Sequence, residues 1–151
     1  MPRYRVCKRF VVESGHMLSK HPEACRYPHG HTREVEIVVS SPELDAHQMV
    51  VDFKALKLAI QEIVEKFDHR MAINSNDPLR AEMERVYPGS TLVFEDMDPT
   101  TEAMAKHIYD HVAETLRQGF ERGNYRIPPG VVQLDRVRVG ETPTSWAEYG
   151  D

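Results

Sequence analysis

Thr32-Arg33-Glu34-Val35-Glu36-Ile37-Val38-Val39-Ser40 places Val35, Ile37 and Val39 on one side and Glu34 and Glu36 on the other. Successive side chains of a strand point to opposite faces, so this period predicts a strand with one face buried. Tyr4 to Glu13 (YRVCKRFVVE) alternates in the same way, with Val6, Phe10 and Val12 on one face. Downstream, Ser41-Pro42-Glu43-Leu44-Asp45 reads as a turn. Asp52 then caps a helix whose apolar stripe is Phe53, Leu56, Ile60, Ile63, Val64 and Phe67. A second helix starts at Pro99-Thr100-Thr101-Glu102 and buries Met104, Ile108, Val112 and Leu116. The insert between them, Asn74 to Pro99, offers a short helix at Ala81 to Val86 and a short strand at Thr91 to Phe94. After Pro128-Pro129-Gly130, Val131 to Thr142 is a strand with Val137, Val139 and Glu141 on one face, and Thr144 to Tyr149 is a last short strand. The expected fold is α+β in the order ββααββ: a four-stranded antiparallel sheet with two helices on one face, residues 1–151 forming one domain. Its open edges favour edge-to-edge pairing in an oligomer.

Composition narrows the function. The chain has 151 residues, 40% apolar and 28% charged, with a net charge of −5 and both signs mixed along it. A globular domain with a core fits these values, and the absence of a basic patch argues against nucleic acid as partner. No run approaches the ~20 apolar residues of a membrane span, and no signal-peptide core follows Met1. Two cysteines, Cys7 and Cys25, make no disulfide framework and point to a reducing cytoplasm. Cys7 is expected to serve packing.

The eight histidines stand out by position. In Cys25-Arg26-Tyr27-Pro28-His29-Gly30-His31, the two histidines lie two apart at a strand entrance and share a face. Neutral imidazoles so placed suit Zn²⁺, and His16, ending the preceding strand, would lie alongside as a third ligand. Gly15 and Gly30 would let backbone and metal approach. Spacing alone leaves a second reading open, that of polar residues at a strand entrance. Cys25 is either a small packed side chain or a thiolate favoured by a nearby cation. Asp68-His69 is either an acid–imidazole pair or the decoration of a helix C-terminus. Glu141 is either solvated at a rim or used to grip a ligand. His107 and His111, four apart on the second helix, lack the Glu of an H-E-x-x-H site and are read as helix surface or interface.

Six motifs occur in order: Phe10 to His16 (FVVESGH), Cys25-x3-His29-Gly30-His31, Val51-Asp52-Phe53, Phe67-Asp68-His69, Pro99-Thr100-Thr101-Glu102 and Val139-Gly140-Glu141-Thr142. Together they resemble the 6-pyruvoyl and 6-carboxytetrahydropterin synthase family along nearly the whole chain. The resemblance implies a tunnelling fold whose units assemble into a barrel-like homohexamer with sites between subunits. It implies zinc on His16, His29 and His31, a proton-transfer set of Cys25, Asp68 and His69, and a pterin ring held by Glu141 with help from Thr100 and Thr101. The implied substrate is 7,8-dihydroneopterin triphosphate. The three-residue gap between Cys25 and His29 resembles the enzymes that release acetaldehyde with triphosphate, form the 6-carboxy product and feed queuosine precursor synthesis. A 6-pyruvoyl product and a non-catalytic zinc- or pterin-binding module are the alternatives. Lys20, Arg26 and Arg70 are the basic candidates for the triphosphate.

Overall fold

A computed structural model describes all residues, 1–151. The elements in chain order are β1 (Tyr4–His16), β2 (His29–Ser41), α1 (Phe53–Glu65), β3 (Met71–Asn74), α2 (Leu79–Val86), β4 (Thr91–Phe94), α3 (Thr101–Gln118), β5 (Phe120–Arg122), β6 (Tyr125–Ile127), β7 (Gln133–Thr142) and β8 (Ser145–Gly150). A single-turn 3₁₀ helix, Ala24–Arg26, interrupts the loop between β1 and β2.

The α+β class holds, but the four-stranded antiparallel sheet does not. Six strands form one mixed sheet in the order β4-β3-β1-β2-β7-β8, and β5 and β6 form a separate hairpin. β1, β2, β7 and β8 pair antiparallel, while β3 runs parallel to both β1 and β4. The extra strands come from the segment after α1. Parallel neighbours need a crossover rather than a tight turn, and α2 supplies it between β3 and β4. The short helix and short strand expected in the insert are present as α2 and β4, which raises the helices from the two of the expected layer to three.

The expected apolar faces converge on one core. Val12, Val35, Ile37, Val39, Val137 and Val139 from the sheet meet Leu56, Ile60, Ile63 and Val64 of α1 and Met104, Ile108, Val112 and Leu116 of α3. Asp52 caps α1 by accepting from the amides of Lys54 and Ala55, and Thr100 caps α3 by accepting from Ala103. Phe53 departs from its predicted stripe: it is exposed at the first helical position, whereas Phe67, beyond the helix end, is buried. Cys7 is exposed on the outer sheet face rather than packed. Its position is one of those alternating with Val6 on β1.

Gly15 is needed for a reason other than metal access. A Cβ there would lie 2.9 Å from Met71 Cε and 3.4 Å from the Arg70 carbonyl, because β3 runs directly against it. The same crossing sets β3 beside His16, paired with Ala72.

Candidate active site

Antiparallel pairing of β1 with β2 sets His16 opposite His29 and Ser14 opposite His31. The core-facing parity Val12, Ser14, His16 on β1 meets the parity His29, His31, Arg33, Val35 on β2, so the three histidines continue the buried row at one end of the core. Their ring centroids are 4.5, 5.1 and 5.1 Å apart. One nitrogen from each lies within 4.8 Å of the others, a group that could hold a metal ion.

Their tautomers favour that use. His16 Nδ1 lies 2.8 Å from the Pro99 carbonyl, and His29 Nδ1 lies 2.8 Å from the Tyr27 carbonyl. A carbonyl only accepts, so both Nδ1 atoms carry a proton, which in the neutral ring leaves the lone pair on Nε2. Burial pushes the pKa of His16 down to about 4, with the Arg33 charge acting in the same direction. Burial and then Arg33 also lower that of His31. His16 Nε2 and His31 Nε2 stand 3.2 Å apart, a separation that calls for a proton or a cation. Imidazoles grouped in this way, each offering one nitrogen, are the donor set a borderline divalent metal takes.

Glu141, near the end of β7, puts Oε1 3.9 Å from both His16 Nε2 and His31 Nε2. Thr101, in the first turn of α3, donates its hydroxyl to that oxygen at 3.0 Å. Arg33 donates from Nη1 to Thr101 Oγ1 at 3.0 Å and to the Gly140 carbonyl at 3.2 Å. Only 1% of Arg33 is exposed. Burial lowers its pKa to about 10 despite Glu141, so it remains a cation. Glu141, His31, Thr32, Arg138 and Trp146 line an open cleft of about 810 Å³ on the outer side.

Asp68 and His69 are paired, with His69 Nδ1 2.9 Å from Asp68 Oδ2. The Glu13 amide donates to Asp68 Oδ1 (2.8 Å), and the His69 amide donates to the Glu13 carbonyl (2.7 Å). The Glu13 amide, and after it the His69 ring, hold the Asp68 carboxyl below its usual pKa. His69 sits in the left-handed region at φ 56°, a strained state for a non-glycine residue. Its side chain is 78% exposed. Cys25 is half-buried, and no hydrogen bond joins it to this pair within one chain. The sequence-predicted set is thus brought together only in part.

Thr100 uses its hydroxyl to cap α3, leaving Thr101 as the hydroxyl that meets Glu141. Of the basic candidates, Arg70 is tied to the Gly89 and Lys66 carbonyls, and Arg26 lies over the Tyr27 ring. Two residues at the site escaped the sequence reading. Arg33 follows His31 by two and so shares its inward face, a parity signal that was available. Asp98 accepts from Ser19 Oγ (2.7 Å), the Lys20 amide (2.8 Å) and Asn74 Nδ2 (3.0 Å). It fastens the loop carrying Cys25, itself closed by the Leu18 amide donating to the Cys25 carbonyl, to the turn whose Pro99 carbonyl holds His16. Only tertiary structure discloses that junction.

Comparison with known proteins places the chain in a family. The family model for 6-pyruvoyl tetrahydropterin synthase matches residues 5–151, and the chain belongs to that family of lyase-type, small-molecule enzymes. The 6-carboxy-5,6,7,8-tetrahydropterin synthase of Aquifex aeolicus is 30% identical over 165 aligned positions, covering 97% of this chain and 98% of that protein. The enzyme of the same description from Bacillus subtilis is 29% identical, covering 97% and 84%. Among solved structures, an uncharacterized protein of Wolinella succinogenes superposes with a TM-score of 0.75 at 26% identity, covering 100% of this chain and 99% of that one. The 6-pyruvoyl tetrahydropterin synthase of Caenorhabditis elegans shares the fold, with a TM-score of 0.65 at 16% identity, covering 100% and 97%. No helix is long and apolar enough to cross a membrane.

Proposed function

We propose that this chain is a zinc-dependent 6-carboxytetrahydropterin synthase. It converts 7,8-dihydroneopterin triphosphate to 6-carboxy-5,6,7,8-tetrahydropterin, with loss of triphosphate and acetaldehyde, and supplies queuosine precursor synthesis in the cytoplasm. The observation that carries the reading is the group of three histidines, one ring nitrogen of each within 4.8 Å of the others, with Glu141 at its rim. The carboxy-forming relatives, near 30% identity over nearly the whole chain, support the choice of product.

His16, His29 and His31 would hold the zinc, which when bound supplies Lewis-acid polarisation of side-chain hydroxyls and acidifies the bonds beside them. Glu141, with the Thr101 hydroxyl on Oε1, keeps Oε2 free to accept from the guanidine-like N–H edge of a pterin. Cys25 as thiolate would remove a side-chain proton, and His69, its Nδ1 oriented by Asp68, would carry a proton to or from the substrate. The exposure of His69 and the lack of an internal bond to Cys25 favour a set completed between subunits, as in a homohexamer. Residues 1–151 act as one domain in this reading.

Turnover of zinc-loaded protein against Cys25→Ala tests these roles. Cys25→Ala is expected to retain zinc at wild-type stoichiometry and lose at least ~10²-fold in kcat, the usual scale of a lost acid–base group. Full activity in that variant would remove Cys25 from the mechanism.

A further inference from the structure

Glu141 lies near enough to two of the three histidines to approach a metal held by them. Metal–nitrogen bonds of about 2.0–2.1 Å give a tetrahedral edge of about 3.3–3.4 Å. Glu141 Oε1, at 3.9 Å from both His16 Nε2 and His31 Nε2, is about half an ångström from the separation a fourth ligand would have to those two nitrogens. Three imidazoles and a carboxylate would make a closed, structural site, whereas a catalytic one keeps a position open.

We propose that Thr101 and Arg33 act as positioning residues that hold Glu141 off the metal and so keep that position open. The proposal rests on the reading of His16, His29 and His31 as zinc ligands. Direction in the hydrogen-bond chain makes the case. A guanidinium can only donate, so Arg33 Nη1 occupies a lone pair of Thr101 Oγ1. The Thr101 proton is thereby committed to Glu141 Oε1, the oxygen nearest the histidines.

Arg33 adds two constraints. Its second Nη1 bond, to the Gly140 carbonyl, fixes the backbone immediately before Glu141. Its Nη2 lies 3.4 Å from both ring nitrogens of His16, so the guanidinium is wedged between that ligand and the carboxylate's support. Its Nε has no partner, and the side chain is 1% exposed. A cation so desolvated is retained where a carboxylate offsets it, and Glu141 is held near it through the shared Thr101 hydroxyl rather than by a direct ion pair.

The test is Thr101→Val, which removes the hydroxyl at similar volume, measured by chelator competition for zinc and by the visible absorption of the Co²⁺ form. With Glu141 released onto the metal, Thr101→Val is expected to bind zinc about tenfold or more tightly, the scale on which groups supporting a metal site act. Its cobalt spectrum should change as well. Thr101→Ser should restore wild-type values, and Glu141→Gln added to Thr101→Val should abolish the gain. Thr101→Ala provides the same readouts should the valine variant not fold. Wild-type zinc affinity and an unchanged cobalt spectrum in a folded Thr101 variant would overturn the proposal while leaving the zinc reading intact. Failure of the wild type to take up either metal would overturn both.

Discussion

At the scale of single residues, the chemistry turns on how far a histidine can be buried and still be useful. His16 is fully buried, its Nδ1 proton is bound to the Pro99 carbonyl, and burial lowers its pKa from an ordinary 6.5 to about 4. The unfolded chain therefore takes up a proton on this residue as pH falls through 6.5, while the folded chain does not until about 4. Its contribution to stability is present above pH 6.5 and lost between 6.5 and about 4. Metal-free protein is predicted to lose up to roughly 1.4 kcal/mol per pH unit through this window, read by denaturant melts at stepped pH. Zinc should steepen the dependence, because protons compete for the same lone pairs. A flat profile between pH 6.5 and 4 would show that His16 does not stay neutral. His29 and His31 were legible from their spacing. Arg33 was not singled out, because an arginine in a polar-looking T-R-E run reads as solvated until pairing with β1 and packing under α3 bury it.

At the scale of elements, the long ones were readable because their periods are long. β1, β2 and β7 alternate over a half-buried sheet, and α1 and α3 announce their starts with Asp52 and Thr100. Asp52 accepts from two free amides at 2.8 and 3.0 Å, so Asp52→Ala should cost about 1 kcal/mol of stability by urea denaturation. No loss would mean that the cap contributes nothing beyond the packing of α1. The missed elements share a physical cause. Met71-Ala72-Ile73-Asn74 is only four residues long and is a parallel strand buried over Ala72, Ile73 and Asn74, so it shows no alternation. The strands of the β5–β6 hairpin are three residues each, too short to display a period. With β3 unread, the sheet was expected to end at β1, and the contact that demands Gly15 could not be anticipated.

At the scale of the whole molecule, one chain brings together only part of the proposed site. The histidine group and Glu141 lie together at one end of the core, and Cys25 is tied through the Asp98 junction to the same end. The Asp68–His69 pair is instead fastened to Glu13 and turned outward. Family membership did not depend on reading this correctly, since the motifs lie in order along the sequence. Assembly of the triad does. If Cys25 of one subunit works with His69 of the next, Cys25→Ala and His69→Ala are each inactive alone. Mixed and reassembled, they should regain a sizeable fraction of wild-type activity through sites that carry neither change. Lack of recovery, with hetero-oligomers confirmed by native mass spectrometry, would put the triad within one subunit.

The central claim, that this site converts a dihydropterin triphosphate to the 6-carboxy product, is tested most directly by mass spectrometry after zinc-loaded protein meets 7,8-dihydroneopterin triphosphate. The expected products are 6-carboxy-5,6,7,8-tetrahydropterin, acetaldehyde and triphosphate. A 6-pyruvoyl product would contradict the assignment of the reaction, and unchanged substrate would contradict the assignment of catalysis to this site.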